Sequence, residues 1–157
     1  MKILVPLDGT PLAESVLPHI CGLVSSPSEA ILVRVAPAID KAIEAEGSGR
    51  IISPWEQRHN LKGTYLRYLE NVGNEKLGDC VTVSAQVLFG KPAEEILAAA
   101  REHKVDLIAM ATHGRHGLSR LVHGSVAAQV LEESEIPVVL FMAPKHVTHS
   151  MGREAVE

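Results

Sequence analysis

Five short apolar, β-prone runs recur along the chain with helix-patterned stretches between them, and few folds can accommodate that alternation. The runs are Lys2-Ile-Leu-Val-Pro-Leu7, Ala30-Ile-Leu-Val-Arg-Val-Ala36, Val81-Thr-Val-Ser-Ala-Gln-Val-Leu88, Val105-Asp-Leu-Ile-Ala-Met110 and Ile136-Pro-Val-Val-Leu-Phe-Met142. Strands joined through helices need crossover connections, and those are met by a parallel sheet with helices on both faces. The pattern predicts a doubly wound α/β fold, Rossmann-like, with a five-stranded parallel sheet. Residues 1–143 are expected to form its one domain and residues 144–157 a polar, frayed tail.

The connections carry their own signals. Thr10 can cap a helix that begins at Pro11, and Leu12, Val16, Ile20 and Leu23 repeat at helical spacing, with Pro18 predicting a kink or an early end. Residues 38–53 have no stable period and read as a long loop or lid. From Pro54 to Leu77 the positions Leu61, Tyr65, Tyr68, Leu69 and Val72 step by three and four, the mark of a long amphipathic helix. Gly90-Lys-Pro92 opens the next helix, which runs to His103 with Glu94 and Glu95 in its first turn.

The stretch from Met110 to Val126 holds the densest chemistry. After the fourth apolar run, a loop from Ala111 to Gly124 carries Gly114, Gly117 and Gly124, and a helix follows from Ser125 to Glu133. Glycines let backbone approach a ligand closely, and a helix N-terminus offers unpaired amides, which together equip a phosphate site. Arg115, His116, Arg120 and His123 add positive or protonatable groups to a chain whose formal charge is -4. That local reversal of sign suits an anionic ligand. A solvated, glycine-rich strand-to-helix connection would show much the same composition.

The spacing is more specific. Nine residues separate Gly114 from Gly124-Ser125, and Ala111 stands three positions before Gly114. This resembles the Gly-x2-Gly-x9-Gly-Ser/Thr signature of the universal stress protein family in its nucleotide-binding branch, with Ala111 in place of the first glycine. The opening Ile3-Leu-Val-Pro-Leu-Asp8, the segment Val33-Arg-Val35 and Gly90-Lys-Pro92 resemble the same family at its first strand, second strand end and third helix entry.

The resemblance implies a strand order of 3-2-1-4-5 and ATP (or AMP) in the crevice where that order reverses, any Mg2+ arriving with the nucleotide. It further implies that Asp8 meets the adenine and that the backbone around Val35 helps to fix the base. Met110 and Ala111 would line the pocket, while Gly114, Gly124, Ser125 and Val126 would hold ribose and phosphates. Pro6, His113, Arg115 and His116 complete the set assigned to the nucleotide. Asp8, which precedes Gly-Thr, also fits a simple turn former.

Other chemistries find less support. A Walker loop needs Lys-Ser/Thr after its last glycine, and neither Gly117 nor Gly124 has it. Ser125 with His113 or His123 lacks the Gly-x-Ser-x-Gly elbow of a hydrolase, so no catalytic residue is assigned. No metal site is assigned either, since the histidines show no pair with a third ligand nearby. Aromatics make up 3% of the chain and the pI is near 6.1, which gives neither a stacking platform nor a basic stripe for nucleic acid. No run reaches membrane-spanning length, and Cys21 and Cys80 lack metal-ligand spacing, so they read as buried thiols in a reducing cytoplasm.

The sequence therefore supports an adenine-nucleotide-binding stress sensor or regulator with slow or no turnover. The alternative is a nucleotide-free dimeric interaction module of the same fold. In either case the apolar run 136–142, without charges, is expected to form a sheet edge that pairs with its twin in a homodimer or packs beneath the tail.

Overall fold

A computed structural model describes residues 1–24, 28–113 and 125–143. The elements run β1 (Lys2–Pro6), α1 (Pro11–Glu14), α2 (Leu17–Leu23), β2 (Glu29–Ala36), β3 (Ile43–Glu44), β4 (Ile51–Ile52), α3 (Pro54–Leu77), β5 (Thr82–Phe89), α4 (Pro92–Glu102), β6 (Leu107–His113), α5 (Val126–Glu133) and β7 (Val138–Ala143). The five long strands form one parallel sheet in the order β5-β2-β1-β6-β7. Numbered among themselves, these strands follow the expected order 3-2-1-4-5.

Two apolar layers hold the helices to the sheet. On one face Val16, Leu17 and Ile20 of the α1–α2 segment and Leu69, Val72 and Leu77 of α3 close over Ile3, Val5 and Leu32. On the other, Ala93, Ile96, Leu97 and Ala100 of α4 and Val130 of α5 close over Leu4, Val33, Ile108 and Met110. Alternate residues of β1 thus face opposite layers, as a strand buried on both sides must. Gly73 brings α3 against the sheet, because a Cβ there would lie 2.7 Å from Val83 Cγ1 and 2.9 Å from Leu32 Cδ1.

Local chemistry sets the helix starts. Thr10 accepts from the Ala13 amide at 3.2 Å with Pro11 in the first turn, and Ser53 accepts from the Glu56 amide at 3.2 Å with Pro54 behind it. The break expected at Pro18 is present, since helical structure stops after Glu14 and resumes at Leu17 with Pro18 in the first turn of α2.

Three sequence expectations are corrected. Residues 38–53 are not a structureless lid, for Ile43 pairs with Ile52 and Glu44 with Ile51 in an antiparallel hairpin. Its turn places Gly47 and Gly49 at φ 74° and 64°, and the Ala45 amide donates to the Arg50 carbonyl at 2.8 Å. The fourth strand does not end at Met110. It continues through His113 because β7 supplies partners, with Ala111 opposite Phe141 and His113 opposite Ala143.

The third correction concerns the cysteines. Cys21 of α2 and Cys80, just before β5, are joined in a disulfide with Cα atoms 5.7 Å apart. Cys21 is exposed and Cys80 half-buried, so neither is a buried thiol. The contact between α2 and α3 carries the two sulfurs together across 59 positions of sequence. The expected tail, 144–157, lies outside the described residues.

Candidate functional site

In an open α/β sheet a ligand crevice forms beyond the carboxyl ends of the strands where their order reverses. Here that point lies between β1, whose β2 neighbour is reached through α1 and α2, and β6, reached from β5 through α4. Ile3 lies opposite Leu107 and Leu4 opposite Ile108, so both strands run side by side toward this end. Asp8 follows β1 and Ala111, Thr112 and His113 end β6.

Asp8 serves its own turn first. Its Oδ1 accepts from the Thr10 amide at 2.9 Å and from Thr10 Oγ1 at 2.6 Å, while Gly9 turns at φ 85°. The turn-former role is therefore filled by one carboxylate oxygen. Oδ2 has no partner among the described residues, the side chain is exposed, and a carboxylate oxygen can accept further hydrogen bonds.

The remaining assigned residues fall into two groups. Pro6 closes β1, half-buried; Val35 lies on β2, half-buried against the α4 layer; Met110 is buried and Ala111 half-buried on β6. Ala111 has negative φ and sits in the ladder with β7. Alanine is thus compatible with this backbone, and the departure from glycine imposes no conformational strain. Ser125 caps α5, its Oγ accepting from the Ala128 amide at 3.1 Å, and Val126 begins the helix on the exposed surface. The capping bond uses one lone pair and leaves the hydroxyl proton available to donate. The backbone of His113 ends β6, while Gly114, Arg115, His116 and Gly124 lie outside the described residues.

One group escaped the sequence analysis. Arg34 of β2 spreads its guanidinium 3.7 Å from the Tyr65 ring centre and 5.2 Å from that of Tyr68, both on α3. Its Nη1 lies so close to the turn that a Cβ on Gly9 would stand 2.9 Å away. Tyr68 donates to Glu14 Oε1 at 2.8 Å, and Lys76 lies 3.8 Å from Glu14 Oε2. Burial, followed by the Glu14 hydrogen bond, pushes the Tyr68 phenol well above its ordinary range, so it remains a donor throughout physiological pH. The tyrosines had read only as positions on a helix face, and a lone arginine in a strand signals nothing until the partner helix is in place.

This arrangement coincides with a match to known proteins. The profile of the Usp, or universal stress protein, family covers residues 1–141. The chain belongs to the universal stress protein family. It is similar to universal stress protein MJ0531 of Methanocaldococcus jannaschii, with 30% identity over 148 residues that span 92% of this chain and 83% of that one. The solved structure of MJ0577 has a TM-score of 0.70 and 29% identity to this universal stress protein, covering 92% of this chain and 96% of that chain. A universal stress protein family member from Arabidopsis thaliana, At3g01520, solved with AMP bound, has a TM-score of 0.61 and 17% identity, covering 92% and 93% of the two chains. At that identity the likeness is one of fold.

Proposed function

We propose that this universal stress protein binds an adenine nucleotide, ATP or AMP, at the carboxyl ends of β1 and β6, and acts in the stress response as a sensor or regulator with slow or no turnover. The observation that carries the reading is the Oδ2 of Asp8, without a partner among the described residues, at the reversal of strand order, with the Ser125-capped start of α5 following β6. A carboxylate suits the base or ribose and repels phosphates, so the base lies near Asp8 and the phosphates toward Ser125, with Mg2+ carried by the phosphates. The AMP complex of the plant relative supports an adenine nucleotide as the class of ligand. Pro6, Val35, Met110 and Ala111 form the walls of the proposed site, and Ser125 and Val126 its phosphate end. His113, Gly114, Arg115, His116 and Gly124 belong to the same proposal on the strength of the sequence signature.

Calorimetric titration with ATP and AMP tests this reading, with micromolar binding expected, equivalent to about -8 kcal/mol. Asp8→Ala is expected to cost about 1–3 kcal/mol, or roughly five- to 150-fold in affinity. Thr10→Val removes one partner of the turn and leaves Oδ2 in place, so it is expected to cost much less. Equal losses in both variants would reduce Asp8 to a turn residue. No saturable binding by the wild type at millimolar nucleotide would favour the nucleotide-free interaction module.

The cytoplasm is the proposed location. No helix among the described residues is long and apolar enough to cross a membrane. In a reducing cytoplasm the Cys21–Cys80 pair would face a thiol pool, which makes its oxidation state in purified protein informative.

A homodimer is proposed through β7. Among the described residues nothing pairs with its outer edge, and Met142 there is 57% exposed. An apolar edge without charges is a template for a second strand. Sedimentation at micromolar concentration is expected to give the mass of a dimer, and Met142→Lys to shift it toward monomer. A wild type that sediments only as monomer would refute this arrangement.

A further inference from the structure

Asp8 and Arg34 meet at the same turn, Asp8 accepting from Thr10 and the Arg34 guanidinium lying against Gly9, and they form no ion pair with each other. Among the described residues no carboxylate lies within ion-pair distance of the Arg34 guanidinium and no acceptor takes its N–H groups. None of its nitrogens is both sealed from solvent and unpaired. The guanidinium lies over the Tyr65 and Tyr68 rings and close to Gly9. Ring stacking orients a guanidinium while leaving its in-plane donors unused. Asp8, adjacent to Gly9 in the chain, has one oxygen engaged by Thr10 and the other without a partner among the described residues.

An acceptor and a ring-stacked donor at one turn, both unpaired among the described residues, suit a group that shows a donor and an acceptor side by side. The edge of an adenine ring does so, with its exocyclic amino group adjacent to a ring nitrogen on either side. We propose that Arg34 is a specificity-determining residue of the crevice, donating to a ring nitrogen of the base while Asp8 Oδ2 accepts from the neighbouring amino group. The inference rests on the nucleotide reading above and adds to it how the base is recognised. Gly9 belongs to the device, because any side chain at that position would displace the guanidinium as well as oppose φ 85°.

The experiment is a calorimetric titration of wild type, Arg34→Met and Arg34→Lys with ATP, 7-deaza-ATP and 1-deaza-ATP, each analogue lacking one of the two candidate ring acceptors. Wild type is expected to bind one analogue about five- to 50-fold more weakly than ATP. Arg34→Met should bind ATP more weakly by a similar factor and lose the discrimination between ATP and that analogue, a loss that misfolding alone does not produce. Arg34→Lys keeps the charge without the planar fork and is expected to fall between the two. If Arg34→Met binds ATP as wild type does, or still discriminates as wild type does, the proposal fails while nucleotide binding stands. If wild type binds no nucleotide, both fail.

Discussion

Reduction of the Cys21–Cys80 bond is expected to lower the unfolding free energy by about 2–4 kcal/mol. The bond closes a loop of 59 positions, and the loss of chain entropy in the unfolded state for a loop of that length corresponds to about 4 kcal/mol before any native-state strain is subtracted. For a chain of this size the melting temperature should fall by roughly 4–16 °C. The measurement is thermal unfolding with and without a phosphine reductant, beside Cys21→Ser/Cys80→Ser, which should melt with the reduced protein. Coincident curves for oxidised and reduced wild type would show that the bond contributes no net stability. Intact mass before and after thiol alkylation reports whether the pair is oxidised as the protein leaves the cell.

The second large effect lies under α3. Leu32 is fully buried, and its truncation to alanine is expected to cost about 2–5 kcal/mol through lost burial and the cavity left behind. Gly73→Ala overfills the same place from the other side, at about 1–3 kcal/mol. Of its two obstacles, the Leu32 methyl is the end of a flexible side chain, whereas the Val83 methyl sits on a β-branched one that cannot turn aside. The double variant Leu32→Ala/Gly73→Ala should therefore be destabilised by less than the sum of the single changes, since the added methyl enters space that Leu32 has vacated. A coupling of about 0.5–3 kcal/mol is expected from denaturant unfolding, and strict additivity would mean that α3 moves away instead.

The division between what could and could not be read in advance follows the range of the forces involved. Apolar runs such as Ile31-Leu-Val33 declare themselves, because a strand buried on both faces is apolar at every position. Thr10 was legible as a cap for the same local reason. The end of β6 was not legible, since pairing with β7 and not hydrophobicity carries that strand past Met110. Nor was the hairpin of β3 and β4, in which two residues a side leave no alternation to detect. The disulfide and the Arg34–Tyr65 stack depend on packing between elements distant in sequence. Asp8 shows the middle case, where both candidate roles were visible and the structure shows one oxygen in the first, with no partner for the other among the described residues.

The central place of β1 also bears on how the chain is made. Its first neighbour, β2, leaves the ribosome soon after it, but its second, β6, begins only at Leu107. While the intervening residues are translated, β1, β2 and β5 can assemble under α3, with one edge of β1 still waiting for its partner. That edge belongs to a strand whose Ile3, Leu4 and Val5 are all destined for full burial. Nascent chains are thus open to wrong strand pairing for the longest time at the strand synthesised first, and this interval is where a chaperone would be of most use.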